Sequence, residues 1–285
     1  MSLPGRLHTI SGVRIFVHQS GTPARGKPPV VLVHGWLLSH YMWRHIVGPL
    51  TQAGHAVIAL DLPGFGESDR PSTASYRYDT TAFSDTLLDL LDSLGIERAI
   101  LCGMSLGGAV ALVTAARHPE RVERLALIDA VVYPTPLPAE GYAVKLPVVG
   151  QFLFRLALAR KNIRAVMKRD IYFDPSFVTD DWVDYVWERA QRPGGVEAAH
   201  RALEIIENPD AVMHSIGAVR APTLIAWGEQ DQLFPVANGR RLHGQLTGSE
   251  LRVIPYCGHT PPEEKPEELL AALLPFFDPR PRSAA

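Results

Sequence analysis

A chain of 285 residues with 28 basic and 30 acidic side chains has a formal net charge of −2, and its content of 46% hydrophobic and 20% charged residues is that of an ordinary globular domain. A chain of this length buries enough apolar surface to fold without disulfides or a structural metal, and its two cysteines, Cys102 and Cys257, make neither a disulfide framework nor a metal-binding pattern. The charge balance also argues against a dedicated nucleic-acid binder, because there is no basic excess to neutralise phosphates.

No apolar run of secretory length stands in Met1 to Gly12, and nothing approaches the roughly 20 apolar residues of a membrane span. A cytoplasmic, reducing location is the expectation. Val13 to His18 reads as a β-branched strand, and Val30 to Val33 as a buried strand that runs into His34-Gly35-Trp36. A helix is expected over Trp43 to Ala53, a strand over Ala56 to Leu60, a turn-rich loop over Asp61 to Asp69 and an amphipathic helix over Tyr78 to Leu94. Ala99 to Cys102 then makes a strand, Gly103 to Gly108 a sharp turn, Ala109 to Arg117 a helix and Arg124 to Asp129 a further strand. This alternation is the pattern of a parallel α/β sheet.

After Asp129 the pattern changes. Pro134, Pro136, Pro138 and Pro147 break the chain, and no strand-like run returns until Pro222 to Trp227. So long a stretch is improbable as a structureless loop and is read as a helical insertion over residues 134–219. The core domain is then residues 1–133 together with 220–285. The stretch between Asp129 and Pro222 holds 10 of the chain's 23 aromatic residues: Tyr133, Tyr142, Phe152, Phe154, Tyr172, Phe173, Phe177, Trp182, Tyr185 and Trp187. It also carries Lys145, Arg155, Arg160, Lys161, Arg164, Lys168 and Arg169 with no intervening acid, which reads as a solvated cationic face balanced by the later aspartates. Strands at Thr223 to Trp227 and Leu251 to Ile254 enclose a helix at Val236 to Gln245, and a last helix is expected from about Glu263 to Phe277.

Chemistry is suggested by Gly103-x-Ser105-x-Gly107, set between a strand and a helix as a nucleophile elbow requires. The serine stands on a strained turn where flanking side chains would collide with the neighbouring strand and helix. A serine hydroxyl becomes nucleophilic only when a base takes its proton and a carboxylate orients that base. Asp231, after one strand, and His259, after the next, supply both in the order Ser, Asp, His. Asp129 competes as the acid, with Glu229 and Asp61 behind it, and Asp61 is read as a loop-holding acceptor of backbone N–H bonds. The backbone N–H groups of Leu106 and Trp36 are the candidate oxyanion donors. Because Ser105, Asp231 and His259 all come from core segments, the catalytic geometry is expected not to need the insertion.

His34-Gly35-Trp36, Asp61 to Ser68, Gly103 to Gly108, Pro222 to Asp231 and Gly258 to Glu267 together resemble the α/β-hydrolase superfamily across both core segments. The resemblance implies a sheet of about eight mostly parallel strands, with the insertion acting as a helical cap. It sets aside haloalkane dehalogenases and epoxide hydrolases of this type, whose elbow nucleophile is aspartate. Carboxylesterases, meta-cleavage-product C–C hydrolases and cofactor-free perhydrolases are the similar serine members. The C–C hydrolases usually carry a longer glycine-rich turn than His34 to Ser39, so a carboxylesterase-like serine hydrolase is the preferred expectation. A small-molecule receptor on a hydrolase scaffold is the non-enzyme alternative. Trp182, Tyr185 and Trp187 are the expected pocket-roof residues. A small-molecule substrate, no cofactor, no metal and no nucleic-acid partner are expected, with a homodimer left open.

Overall fold

The computed structural model describes residues 3–24, 27–135 and 150–278. Pro136, Pro138, Tyr142, Lys145 and Pro147, named above, lie outside the described residues.

The order of elements is β1 (Arg6–Ile10), β2 (Val13–Ser20), β3 (Val30–Val33), α1 (Arg44–Gln52), β4 (Val57–Leu60), α2 (Thr80–Ser93), β5 (Ala99–Met104), α3 (Leu106–Arg117) and β6 (Val122–Ile128). Between β6 and β7 come α4 (Gly150–Ala157), α5 (Arg160–Val166), α6 (Asp180–Gln191), α7 (Gly195–Glu207) and α8 (Asp210–Ser215). The chain closes with β7 (Thr223–Gly228), α9 (Val236–Gln245), β8 (Glu250–Ile254), α10 (Pro261–Glu264) and α11 (Pro266–Phe277). One eight-stranded sheet runs β1-β2-β4-β3-β5-β6-β7-β8. β2 is antiparallel to β1 and β4, and every pairing from β4 onward is parallel.

The hydrophobic pattern explains the layering. In β3 the side chains of Val31 and Val33 join one apolar cluster while those of Val30 and Leu32 join another, so successive residues feed opposite faces of the sheet. Both faces are covered by helices, which is why these strands read as continuous apolar runs rather than alternating ones. One cluster takes in Phe83 and Leu87 of α2 and the apolar side of α3, and the other takes in Ile46 and Leu50 of α1 with Leu269 and Leu273 of α11. A third, smaller cluster lies within the insertion around Ile163, Met167, Tyr172, Trp182 and Tyr185.

Three local expectations change. The edge strand β1 has no apolar run to announce it, since four of its five residues are exposed or half-buried. The helix expected from about Glu263 is two helices, with Lys265 in a non-helical conformation (φ −139°, ψ 54°) just before Pro266, as sterics before proline demand. Trp43 closes a short 3-10 turn over His40–Trp43 rather than opening α1.

Candidate active site

Register brings the carboxyl ends of four adjacent parallel strands level: Met104 pairs with Ile128, Ile128 with Ala226 and Gly228 with Ile254. Ser105, Asp129, Asp231 and His259 follow those ends, so all four stand on one edge of the sheet, where open α/β folds place their ligands. All four are buried.

Ser105 has φ 55° and ψ −119°, a conformation that a non-glycine residue adopts only under constraint. The constraint is visible on both sides. Its N–H donates to the carbonyl of Ile128 at 2.9 Å, while its own carbonyl accepts from Val131 at 3.1 Å and from Ala109 at 3.2 Å. A Cβ at Gly103 would collide with the carbonyl of Gly107, and one at Gly107 would collide with that of Val33. The elbow exists because strand β5 turns into α3 within the space of a bare backbone. Leu106 is the first residue of α3, so its N–H is one of the four that a helix leaves without an intrahelical acceptor.

Beside the elbow lies the turn after β3. Leu62 donates its N–H to His34 Nε2 at 2.9 Å, which puts the imidazole proton on Nδ1, and this donates to the carbonyl of Gly35 at 2.7 Å. Burial lowers the His34 pKa, so the ring is a neutral brace for the turn. Asp61 holds the same region: it accepts the N–H of His40 at 2.6 Å, His40 Nδ1 at 2.9 Å and the N–H of Glu67 at 2.7 Å. Burial works to raise its pKa, but the hydrogen bonds from His40 and from the Glu67 N–H outweigh it and hold the carboxyl below its usual range. Asp61 is therefore a loop anchor.

His259 Nδ1 lies 2.8 Å from Asp231 Oδ2, and the other oxygen, Oδ1, accepts the N–H groups of Leu233 and Phe234 at 2.8 and 2.9 Å. The carboxylate is thus fixed by its own turn and presents one oxygen to the imidazole. Asp129, the competing acid, has φ 42°, accepts the Gly228 N–H on Oδ1 at 2.9 Å and leaves Oδ2 without a partner. Burial first, and then the Asp231 carboxylate, push its pKa well up. Polar atoms of Asp129, Asp231 and His259 lie within 4.8 Å of one another, a spacing that a cation would accept. The hydrogen bonds already made by Asp231 and by His259 Nδ1 account for the cluster without one.

The insertion is closer to this site than the sequence suggested. The triad candidates come from core segments as expected, but the backbone N–H of His259 donates to the carbonyl of Ile171 at 2.7 Å, so the insertion touches the loop that carries it. Tyr185 Oη meets Ser39 Oγ at 2.7 Å, Trp36 Nε1 donates to the carbonyl of Ala199 at 2.9 Å, and Trp182 Nε1 donates to Tyr172 Oη at 2.7 Å. Trp182 and Tyr185 are buried in the third cluster, with Trp187 half-buried against it. Of the cationic run, Arg160 pairs with Asp180 and Asp184, and Arg169 with Asp170. Cys102 and Cys257 are buried thiols whose pKa burial raises, which makes neither a nucleophile.

A serine elbow at the edge of a mostly parallel sheet, with an acid and a histidine two and three strands away, defines an α/β hydrolase. The sequence profile of the alpha/beta hydrolase fold matches residues 28–266, and the chain belongs to that family. It is 30% identical over 277 residues to an uncharacterised hydrolase, YugF, of Bacillus subtilis, covering 96% of this chain and 98% of that one. It is 31% identical over 264 residues to a 2-hydroxymuconate semialdehyde hydrolase of a Pseudomonas species, covering 90% and 87%. Among solved structures, the meta-cleavage product hydrolase of Pseudomonas fluorescens superposes with a TM-score of 0.80 at 27% identity, covering 96% of this chain and 97% of that one. A thermophilic esterase from Thermogutta terrifontis superposes with a TM-score of 0.77 at 26% identity, covering 96% and 98%. Among the described residues no helix is long and apolar enough to cross a membrane.

Proposed function

We propose that this hydrolase cleaves carboxylic esters of small to medium apolar substrates through an acyl-enzyme. The observation that carries the reading is the 2.8 Å contact between Asp231 and His259 Nδ1 at the sheet edge that also bears the Ser105 elbow. Ser105 Oγ attacks the ester carbonyl while His259 Nε2 takes its proton, and Asp231 stabilises the imidazolium that results. The N–H of Leu106 at the start of α3, with that of Trp36, receives the negative oxygen of the tetrahedral intermediate. Collapse breaks the acyl–oxygen bond, and the alcohol leaves with the proton from His259. Water, deprotonated by the same imidazole, then attacks the acyl-Ser105 and releases the acid. The insertion serves as the cap, with Trp182, Tyr185 and Trp187 as candidates for the roof that excludes water.

A second reading is hydrolysis of a carbon–carbon bond in a vinylogous 1,5-diketone. It is favoured by the likeness to solved structures named as meta-cleavage product hydrolases, and the same serine, base and oxyanion donors would serve it. Esters of graded chain length, a vinylogous 1,5-diketone and a peroxide assay run side by side test the choice. Faster turnover of an ester is expected, at above about 1 per second as for an ordinary enzyme. Preference for the diketone would replace the ester assignment, and binding without product would point to a receptor. Ser105→Ala should abolish turnover of whichever substrate is used, and activity within about tenfold of wild type would remove Ser105 from the mechanism.

A further inference from the structure

His259 stands on a loop held from both directions. On the near side Glu264 Oε1 accepts the N–H of Gly258 at 3.0 Å, the N–H of Thr260 at 3.4 Å and the hydroxyl of Thr260 at 3.2 Å. The other oxygen, Oε2, crosses to the insertion and accepts the N–H of Phe173 at 2.8 Å and that of Asp174 at 3.4 Å. One carboxyl group thus joins the residues on either side of His259 to a segment about 90 residues earlier in the chain. The same segment supplies the Ile171 carbonyl that accepts the His259 N–H. Contact is so close that a Cβ at Gly258 would strike the Ile171 carbonyl and come within 2.6 Å of the Phe173 nitrogen. A parallel strap runs alongside: Tyr172 Oη donates to Glu263, which also pairs with Arg44.

We propose that Glu264 is a positioning residue for His259, and that it works by clamping the catalytic-loop backbone to residues 171–174 of the insertion. The proposal rests on His259 being the base of the reaction. Both glutamate oxygens receive N–H donors, so neither side can be served by an amide nitrogen. A glutamine at this place keeps one acceptor and turns an NH2 group towards donors, freeing either the loop or the insertion. Nothing in this arrangement lets Glu264 touch the substrate. Its effect passes through the placement of the imidazole, where a displacement of about 1 Å costs on the order of a hundredfold in rate.

Two variants attack the clamp from opposite ends. Glu264→Gln alters the carboxylate. Phe173→Pro replaces the N–H on the insertion side by a ring carbon that pushes Glu264 Oε2 away, at a residue whose exposed ring contributes little to the core and which follows Tyr172 in the extended conformation that proline favours before it. Each should fold cooperatively, keep KM for a short aryl ester within about threefold and lower kcat by roughly tenfold or more. The decisive readout is labelling of Ser105 by a small phosphonate that needs no pocket roof. Its rate should fall in the same ratio as kcat, with a shift of the low-field His259 Nδ1 proton resonance. A purely structural role for the clamp in pocket shape would leave labelling unchanged. Labelling at the wild-type rate in either folded variant overturns the proposal, even where Ser105→Ala is inactive and the serine mechanism stands. Activity retained in Ser105→Ala would instead overturn the mechanism and this proposal with it.

Discussion

The two halves of the insertion meet the sheet in different ways. Through α7, the side chains of Val196, Ala198, Ala199 and Ala202 belong to the same apolar cluster as the strands, so that half is continuous with the main core. Around α5 and α6 the apolar cluster is separate, with only Leu37, Leu38 and Tyr41 of the core, among the described residues, packed against it, and hydrogen bonds add further ties: Tyr172 to Glu263, Tyr185 to Ser39 and Phe173 to Glu264. Apolar burial is non-directional and survives small slides, whereas a hydrogen bond weakens steeply with angle and distance. One half is therefore held mainly by area, and the other by a smaller apolar contact to which directional bonds add. Among the described residues, the hydrogen bonds from the insertion to the loop that carries His259 come from the second.

If the chemistry belongs to the sheet edge and the insertion only adjusts it, Asp231→Asn should have a larger effect than any change in the insertion. With geometry kept and the wrong imidazole tautomer favoured, kcat for an aryl ester should fall on the order of 10⁴-fold. Activity within about tenfold of wild type in a steady-state assay would hand the orienting role to Asp129, whose carboxyl lies in the same cluster. Next in size is Ala202→Leu, which overfills the apolar half where Ala202 is fully buried. It should cost about 1 to 3 kcal/mol in denaturant unfolding and leave phosphonate labelling of the folded protein unchanged. That is the opposite of the pattern expected for Glu264→Gln, and the two results together separate area from geometry.

The smallest effect concerns pH. Asp129 is a carboxyl whose folded pKa lies above its unfolded value, through burial first and then the Asp231 charge. Its contribution to stability is fully present below the unfolded pKa and is lost as pH rises through the folded one. Asp129→Asn removes that titration yet keeps an oxygen for the Gly228 N–H. Thermal unfolding followed from acid to alkaline pH should show the variant gaining on wild type as pH rises, with kcat at neutral pH within about threefold. A constant gap across the range would mean that Asp129 is ionised in the folded protein, and a large loss of kcat would mean that its charge serves the reaction.

Much of the sheet and of the site was legible because their signals are local. A buried parallel strand needs an unbroken apolar run, as at Val30 to Val33, and an elbow needs glycines two before and two after the serine. Chain order then singled out Asp231 and His259, which meet in space. The edge strand β1 escaped because a strand with little buried surface carries no apolar signature. Glu264 escaped for another reason: its partners, Phe173 and Asp174, lie about 90 residues away, and only the folded chain brings them to one carboxyl. Its closeness to His259 in sequence was a usable hint. The same distance hid the Ile171 carbonyl, since no side-chain pattern marks a backbone acceptor.

The elbow is built where main chain touches main chain, with Ser105 held by the carbonyl of Ile128 and the N–H of Val131 from the neighbouring strand and its exit. Such a turn is held by backbone bonds rather than by side-chain contacts, so loosening it means parting the strands. On heating, the nucleophile should stay intact until the sheet itself melts, while the hydrogen-bonded half of the insertion opens at a lower temperature. Warmth would then erode the protein in two stages, first its hold on the His259 loop, the proposed base, and only later the elbow that carries Ser105, the proposed nucleophile.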